Sequence, residues 1–153
     1  MGHLWSLRKP QGLRHWLLWL AIVLWAAWFC WPRPAIAAAV RQSISIDLGN
    51  AAGELRFFPN QLRLKAGQPY ELTLRNPSPL KHYFTAKDFS DAIWTRKVDS
   101  GGVEVKGNIR ELELRPSSEA VWQFTPERPG QYDLRCRIAG HTEAGMTGQL
   151  IVE

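Results

Sequence analysis

From residue 43 onward, apolar and polar residues alternate along short stretches of the chain. In a β-strand, successive side chains point to opposite faces of the sheet, so this period of two predicts strands with one buried and one solvated face. Between these stretches lie segments rich in Gly, Pro, Ser and Asn, which are typical of turns. The alternation predicts seven strands, at 43–48, 61–64, 71–75, 110–115, 120–124, 132–136 and 148–152.

Short strands separated by polar turns indicate an all-β fold, either an antiparallel sandwich or a barrel. Trp122 and Phe124 lie in one of the alternating runs and are expected in its core. The run at 110–115 alternates Leu with Arg and Glu. We interpret its charged side chains as a solvated strand face and not as a binding site.

Residues 86–108 break the alternation. Their composition predicts a short helical excursion between two strands, with a helix over 86–94 and a turn at Gly101 and Gly102. Trp94 is expected to pack this excursion onto the sandwich and not to contact a partner.

The N-terminal residues differ in character from the rest. Three basic residues among the first 14 precede an uncharged, mostly apolar run at 16–31, and the sequence Ala-Ile-Ala follows at 35–37. This order is typical of a secretory signal peptide. We therefore interpret residues 1–37 as a signal peptide and 38–153 as an exported domain, located in the periplasm or, in a cyanobacterium, in the thylakoid lumen. An uncleaved membrane anchor is the alternative, because the apolar run is intermediate in length between a typical signal core and the ~20 residues of a membrane span.

The positive charge of the chain comes largely from this N-terminal segment. The formal charge is +5, and four of the 19 Lys and Arg residues fall within the first 37 positions, where there is no acid. The remaining 15 face 14 Asp and Glu, a net charge of +1. Nucleic-acid binding is therefore not predicted, and the membrane is expected to be contacted only through the N-terminal segment.

The domain has one cysteine, because Cys30 belongs to the N-terminal segment and Cys136 is the other cysteine of the chain. Exported domains ordinarily pair their cysteines in disulfides, and a lone thiol in an oxidising compartment is at risk of oxidation. Either Cys136 is a buried core residue or a ligand occupies its sulfur.

The residues after Cys136 favour the second alternative, in which its sulfur binds a metal ion. His141 and Met146 follow it at intervals of five positions, in a segment that joins two predicted strands. One loop thus presents a thiolate, an imidazole and a thioether. Soft sulfur donors combined with imidazole suit copper, and a Cys-His-His set with a weak axial Met is the blue-copper arrangement.

This segment resembles the ligand loop of the cupredoxins, in which Cys, His and Met follow one another at short intervals. In that family a further histidine lies upstream, after a strand that often ends near Asn, and His82 after Asn76 matches that position. The resemblance covers residues 43–152. Many members have Asn directly after the upstream histidine, where it helps to hold the ligand loop, whereas this chain has Tyr83. The excursion at 86–108 distinguishes the chain from plastocyanin and azurin.

The resemblance implies a cupredoxin-like Greek-key β-sandwich of about seven to eight strands, with one type 1 copper ion bound by His82, Cys136, His141 and Met146. The leading hypothesis is single-electron transfer between redox partner proteins by a monomer. His141 would then lie near the surface, within an apolar patch made of Pro79, Leu80, Ala139 and Ala144. The alternatives are a copper carrier or buffer in copper homeostasis or resistance, and a cupredoxin-fold partner module without metal.

An enzyme is not predicted. Copper oxidases and nitrite reductases of this superfamily need further histidines for a second centre, and residues 38–153 contain only His82 and His141. A binuclear copper site of the oxidase-subunit kind needs a second cysteine. A Cys-His nucleophile pair would leave His82 and Met146 without a role.

Overall fold

A computed structural model describes residues 41–153, and the predicted signal peptide lies outside the described residues. Eleven strands and one short helix make up the described part. In chain order they are β1 Gln42–Leu48, β2 Phe57–Phe58, β3 Gln61–Leu64, β4 Tyr70–Arg75, β5 His82–Thr85, α1 Lys87–Ser90, β6 Ile93–Ser100, β7 Val103–Val105, β8 Glu111–Leu114, β9 Glu119–Pro126, β10 Gly130–Arg135 and β11 Thr147–Val152. Within these residues, no helix has the length and apolar character needed to cross a membrane.

The strands form two sheets whose apolar faces enclose a common core. Sheet I has the order β2-β1-β4-β9-β6-β7, and sheet II has the order β3-β11-β10-β5-β8. Neighbours in both sheets are often distant in sequence, because the chain passes repeatedly from one sheet to the other, as in Greek-key folds. The expected all-β sandwich is confirmed.

Each sheet also contains a parallel pair, which corrects the expectation of purely antiparallel sheets. In sheet I, β1 runs parallel to β4, and in sheet II, β3 runs parallel to β11. Parallel neighbours need a long crossover connection. Between β1 and β4 the chain crosses to sheet II to form β3, and this pairing is not encoded in the local alternation.

The core is dominated by aromatic rings from both sheets. Trp122 is 1% exposed, and its ring lies 6.0 Å from that of Phe84 and 5.6 Å from that of Phe124. The placement of Trp122 and Phe124 in the core is thus as predicted. Burying one such side chain stabilises the fold by about 1.5–3 kcal/mol.

The excursion at 86–108 contains the expected short helix, which is shorter than predicted, and two strands that were not predicted. The helix α1 has four residues and ends well before Trp94. The chain then continues as the hairpin β6–β7, with its turn at Gly101 and Gly102 as predicted. These two strands, together with the short β2 and β5, raise the number of strands from the predicted seven or eight to eleven.

A β-bulge explains why strand β6 escaped prediction. The bulge lies between Thr95 and Lys97, where the pairing with β9 shifts register. The extra residue of a bulge moves the alternation by one position. Ile93 and Val98 are both buried as a result, although an odd number of positions separates them. The period of two is therefore hidden in this strand.

The excursion is packed onto the sandwich by Phe89, whereas Trp94 was expected to do so. Trp94 is 56% exposed on β6, and that expectation is wrong. Phe89, in α1, is fully buried, and its ring lies 5.4 Å from that of Phe124 and 5.7 Å from that of Tyr132. Four residues of helix thus suffice to insert one aromatic ring into the core.

Phe89→Ala and Trp94→Ala form a matched pair that tests this assignment. We expect Phe89→Ala to lower the free energy of unfolding by about 3–5 kcal/mol, because it leaves a cavity among packed rings. Trp94→Ala should change it by less than about 0.5 kcal/mol, because its side chain is largely solvated. Chemical denaturation of both variants beside the wild type measures the two values, and equal losses would contradict the assignment.

Candidate metal centre

His82 is the first residue of β5, where it pairs with Leu114 of β8. Its side chain is completely buried. The segment that leads into β5 is fixed by Asn76, whose side-chain amide donates to the carbonyl oxygens of Leu80 and Leu114, both at 2.8 Å. The Asn76 side-chain oxygen also accepts from the Ser78 N–H at 3.0 Å. A buried polar turn thus sets where β5 begins and where its first side chain points.

The other candidate ligands lie in the loop between β10 and β11, at 136–146. Cys136 follows the last residue of β10, and its N–H donates to the carbonyl oxygen of Met146 at 3.1 Å. The Met146 N–H in turn donates to the carbonyl oxygen of His141 at 2.9 Å. The hydroxyl of Thr142 donates to the Cys136 carbonyl oxygen at 2.7 Å. These bonds fold the loop back on itself, so that its two ends meet.

The structure brings three of the four predicted ligands together. Ligand atoms of His82, Cys136 and His141 all lie within 4.8 Å of one another. The Cys136 sulfur is 3.5 Å from Nδ1 of His141. Met146 is fully buried, and its backbone joins both Cys136 and His141. Its sulfur as the fourth ligand stays a prediction.

The two ring nitrogens of His82 are buried, and neither has a hydrogen-bond partner among residues 41–153. Burial, together with the neighbouring His141, lowers the pKa of His82 from 6.5 to about 4. The ring is therefore neutral near pH 7, with a lone pair free to bind a metal ion. Buried polar atoms without partners are rare in proteins, and coordination would satisfy one of these two. The donor set of thiolate and neutral imidazole fits copper.

Tyr83 contributes through its backbone. Its N–H donates to the Cys136 sulfur at 3.3 Å, while its side-chain hydroxyl donates to Glu113 on the neighbouring strand β8. The side chain is thus engaged with β8 and does not take the loop-holding role that the family resemblance implied for Asn at this position. Within the described residues, the Thr142 hydroxyl provides such a bond inside the loop instead. Glu113 is itself exposed, as expected of a charged side chain on the solvated face of the run at 110–115.

Gly49 lies against the ligand ring and was not found from the sequence. It follows β1 with φ +78°, and a Cβ placed on it would lie 3.0 Å from Nε2 of His82 and 2.9 Å from Cβ of Ser78. A side chain at this position would therefore displace the imidazole or the segment before it. The signal is a glycine at the end of a strand, which is common and does not reveal a contact with a residue so far along the chain.

The four residues predicted to form an apolar patch are all exposed. Leu80 is 49% exposed, and His141 itself is partly buried. Exposed apolar residues beside a ligand are consistent with a docking face, whose role stays a prediction. The other three exposed residues of the set are Pro79, Ala139 and Ala144.

Gly49→Ala tests the close approach, and Gly53→Ala is its control. Gly53 has φ +79° in the same connection but nothing within 4 Å of an added Cβ. Both variants bear the same backbone strain of about 1–2 kcal/mol. We expect only Gly49→Ala to weaken copper binding in a competitive titration, because only there does the methyl group reach His82. Equal copper affinity of the two variants would refute the contact.

The metal-free protein should lose stability in mild acid because of His82. The unfolded imidazole binds a proton below pH 6.5, whereas the folded one does so only near pH 4. Between these values the unfolded state holds more protons, so stability rises with pH and is lost as the pH falls. At ~1.4 kcal/mol per pKa unit, roughly 2–3 kcal/mol is lost between neutral pH and about pH 4.5. Urea denaturation at both pH values should show a clearly smaller loss for His82→Gln, and an equal loss would contradict this.

The chain resembles known proteins in both sequence and fold. It is 26% identical over 130 residues to the copper-resistant cuproprotein CopI of Rubrivivax gelatinosus, covering 78% of this chain and 72% of that protein. CopI of Pseudomonas aeruginosa is 27% identical over 153 residues, with 79% and 81% covered. Reduced auracyanin from Roseiflexus castenholzii has a TM-score of 0.52 at 17% identity, covering 74% of this chain and 99% of that one.

The chain also matches the sequence pattern of a protein family. The Cupredoxin-like domain family matches residues 19–152, which is most of the chain and contains every candidate ligand. The likeness to auracyanin shows a shared fold, and the described structure brings His82, Cys136 and His141 close enough together to share one metal ion. This chain therefore belongs to the cupredoxin-like domain family.

Proposed function

We propose that this chain is a type 1 copper protein that carries single electrons between redox partner proteins in an exported compartment. The observation that carries the proposal is the cluster of His82, Cys136 and His141, of which the first two are buried. His82 comes from the start of β5, and Cys136 and His141 come from the internally bonded loop after the neighbouring strand β10, so the donor atoms are assembled by the fold itself.

Each donor has a distinct part in this proposal. Copper, when bound, supplies one-electron chemistry between Cu(II) and Cu(I). Cys136 offers the thiolate, His82 and His141 offer neutral imidazoles, and Met146 is proposed as a weak fourth donor. The Tyr83 N–H withdraws electron density from the sulfur, which favours the lower charge of Cu(I).

Burial of the ligands favours electron transfer over copper exchange. His82 and Cys136 are completely buried, and His82 is held on a strand between the Asn76 turn and Gly49. A ligand set fixed in this way resists rearrangement when the charge of the ion changes, as a single-electron carrier requires. His141 is partly exposed and offers the route for the electron to the proposed patch at Pro79, Leu80, Ala139 and Ala144.

Copper handling is a second candidate, favoured by the sequence relatives. Two proteins that match over most of their length bear the name copper-resistant cuproprotein. The same donor atoms could bind copper for storage or delivery in a resistance pathway. The two candidates differ in whether the ion stays in place while electrons move or is itself exchanged.

The remaining parts of the proposal come from the sequence. The basic and apolar N-terminal segment supports export to the periplasm, with removal after residue 37 or retention as an anchor. Two histidines in residues 38–153 support a single copper centre without enzymatic activity. We propose a monomer that meets its redox partners through the face around His141.

The visible absorption spectrum of the protein with Cu(II) tests the site. We expect an intense thiolate-to-copper charge-transfer band that Cys136→Ser abolishes, because a hydroxyl is a harder and poorer donor that remains protonated. Met146→Leu should keep copper on the other three ligands while its reduction potential rises, because losing the axial donor favours Cu(I). Potentiometry and Cu(I) competition on Met146→Leu and the wild type measure both effects.

The same variant separates the two candidate functions. An electron carrier predicts a raised potential, with rapid electron self-exchange in the wild type. A copper carrier predicts that Cu(I) affinity collapses while the potential hardly moves, because the thioether is a soft ligand suited to Cu(I). Absence of the charge-transfer band in the wild type would end the type 1 proposal altogether.

A further inference from the structure

A shallow groove lies on sheet I at the end of the sandwich remote from the metal centre. Strand β1 connects the two places: Gly49, just after β1, touches the ring of His82, and Arg41, just before β1, lines the groove. At ~3.3 Å per residue, the seven residues of β1 separate them by roughly 23 Å. The groove is therefore distinct from the candidate copper site.

One wall of the groove is an exposed aromatic ring. Trp94 is 56% exposed, and among the large exposed apolar residues of the described chain it is the one aromatic residue. The groove has a volume of about 260 Å³. Its other lining residues include Arg41 and Arg96, both exposed, with Pro69, Phe124 and Thr125.

Two arginines line the groove, and an acid beside its lining, Glu71, accepts a hydrogen bond from Gln123 at 2.9 Å. Among residues 41–153, neither Arg41 nor Arg96 has an acidic partner. The acids nearby on the hairpin, Asp99 and Glu104, are bound by Lys97 at 2.9 Å and 3.0 Å. The groove thus offers two guanidinium groups beside an indole.

We propose that this groove docks the domain on an anionic phospholipid surface, with one headgroup phosphate between Arg41 and Arg96. Guanidinium groups bind phosphate through paired hydrogen bonds, and tryptophan is enriched at the membrane–water interface. In sequence, Arg41 follows by four positions the segment at 1–37 that is interpreted as a signal peptide or anchor, so export or anchoring would bring this end of the chain to a membrane. Docking would extend membrane contact to the folded domain, whereas the sequence predicts contact only through the N-terminal segment.

This orientation has a consequence for the copper end. With the groove on the lipid, the candidate copper site lies roughly 23 Å along β1 from the point of contact. Partner proteins would then reach the copper end without competing with the lipid surface. The inference does not depend on copper, because its groups are separate from the candidate ligands.

Hydroxyl-radical footprinting of Trp94 tests the proposal on the full-length chain. The protein is bound to vesicles of phosphatidylglycerol or of phosphatidylcholine, and peptide mass spectrometry reports the modification of Trp94 itself. We expect clear protection on phosphatidylglycerol only, while Leu80 at the copper end stays reactive. Each guanidinium near an anionic surface changes the docked-to-undocked ratio about fivefold, so Arg41→Gln with Arg96→Gln should lower it roughly thirtyfold.

Arg56→Gln is the matched control, because Arg56 is exposed and bonded through its carbonyl oxygen to Gly49 at the copper end. It removes one positive charge without touching the groove, so Trp94 should remain protected. Equal reactivity of Trp94 on the two lipids, or wild-type protection in the double variant, would overturn the proposal. Protection that appears without vesicles and grows with protein concentration would overturn it in favour of a second copy of the chain.

Discussion

The buried imidazole of His82 is the constraint on which the centre depends. Both ring nitrogens lie out of water without a hydrogen-bond partner among residues 41–153. An unsatisfied polar group in the interior costs about 1–3 kcal/mol. The Asn76 turn, strand β5 and the glycine after β1 all hold this one ring beside Cys136. The fold thus holds the His82 ring beside the Cys136 sulfur, and a soft metal ion is a partner that suits both donors.

The ligands could be predicted because their residue types are scarce. The domain has one cysteine, two histidines and one methionine, and the spacing of three of them within one segment indicates a shared ion. The groups that hold the ligands could not be predicted in this way. Gly49 meets His82 because β1 pairs in parallel with β4, and the Tyr83 side chain turns to Glu113 because β8 lies beside β5. Such neighbours are set by sheet order, which local pattern does not report.

The same limit explains how much of the sandwich could be predicted. Seven strands follow from alternation because each has one apolar face of unbroken register. Strand β6 does not, since its bulge puts Ile93 and Val98 out of step, and β5 is too short to show a period. The helix predicted over 86–94 is longer than α1, because the residues after α1 carry no clear strand signal. The apolar character of Trp94 alone predicts that it packs the excursion onto the sandwich, although its position on β6 turns it outward.

The candidate ligands are unevenly distributed along the chain, and this bears on the order of steps in the maturation of the protein. Three lie within 136–146, whereas His82 lies 54 positions earlier. Sheet II closes around them when β11, which follows the loop, inserts between β3 and β10. Before that, a nascent chain offers a soft metal only a flexible Cys-His-Met peptide, and ligands gathered by folding make metal binding part of folding. Folding is thereby the checkpoint for metal loading, since a chain with an unfinished sheet does not yet hold His82 beside the loop.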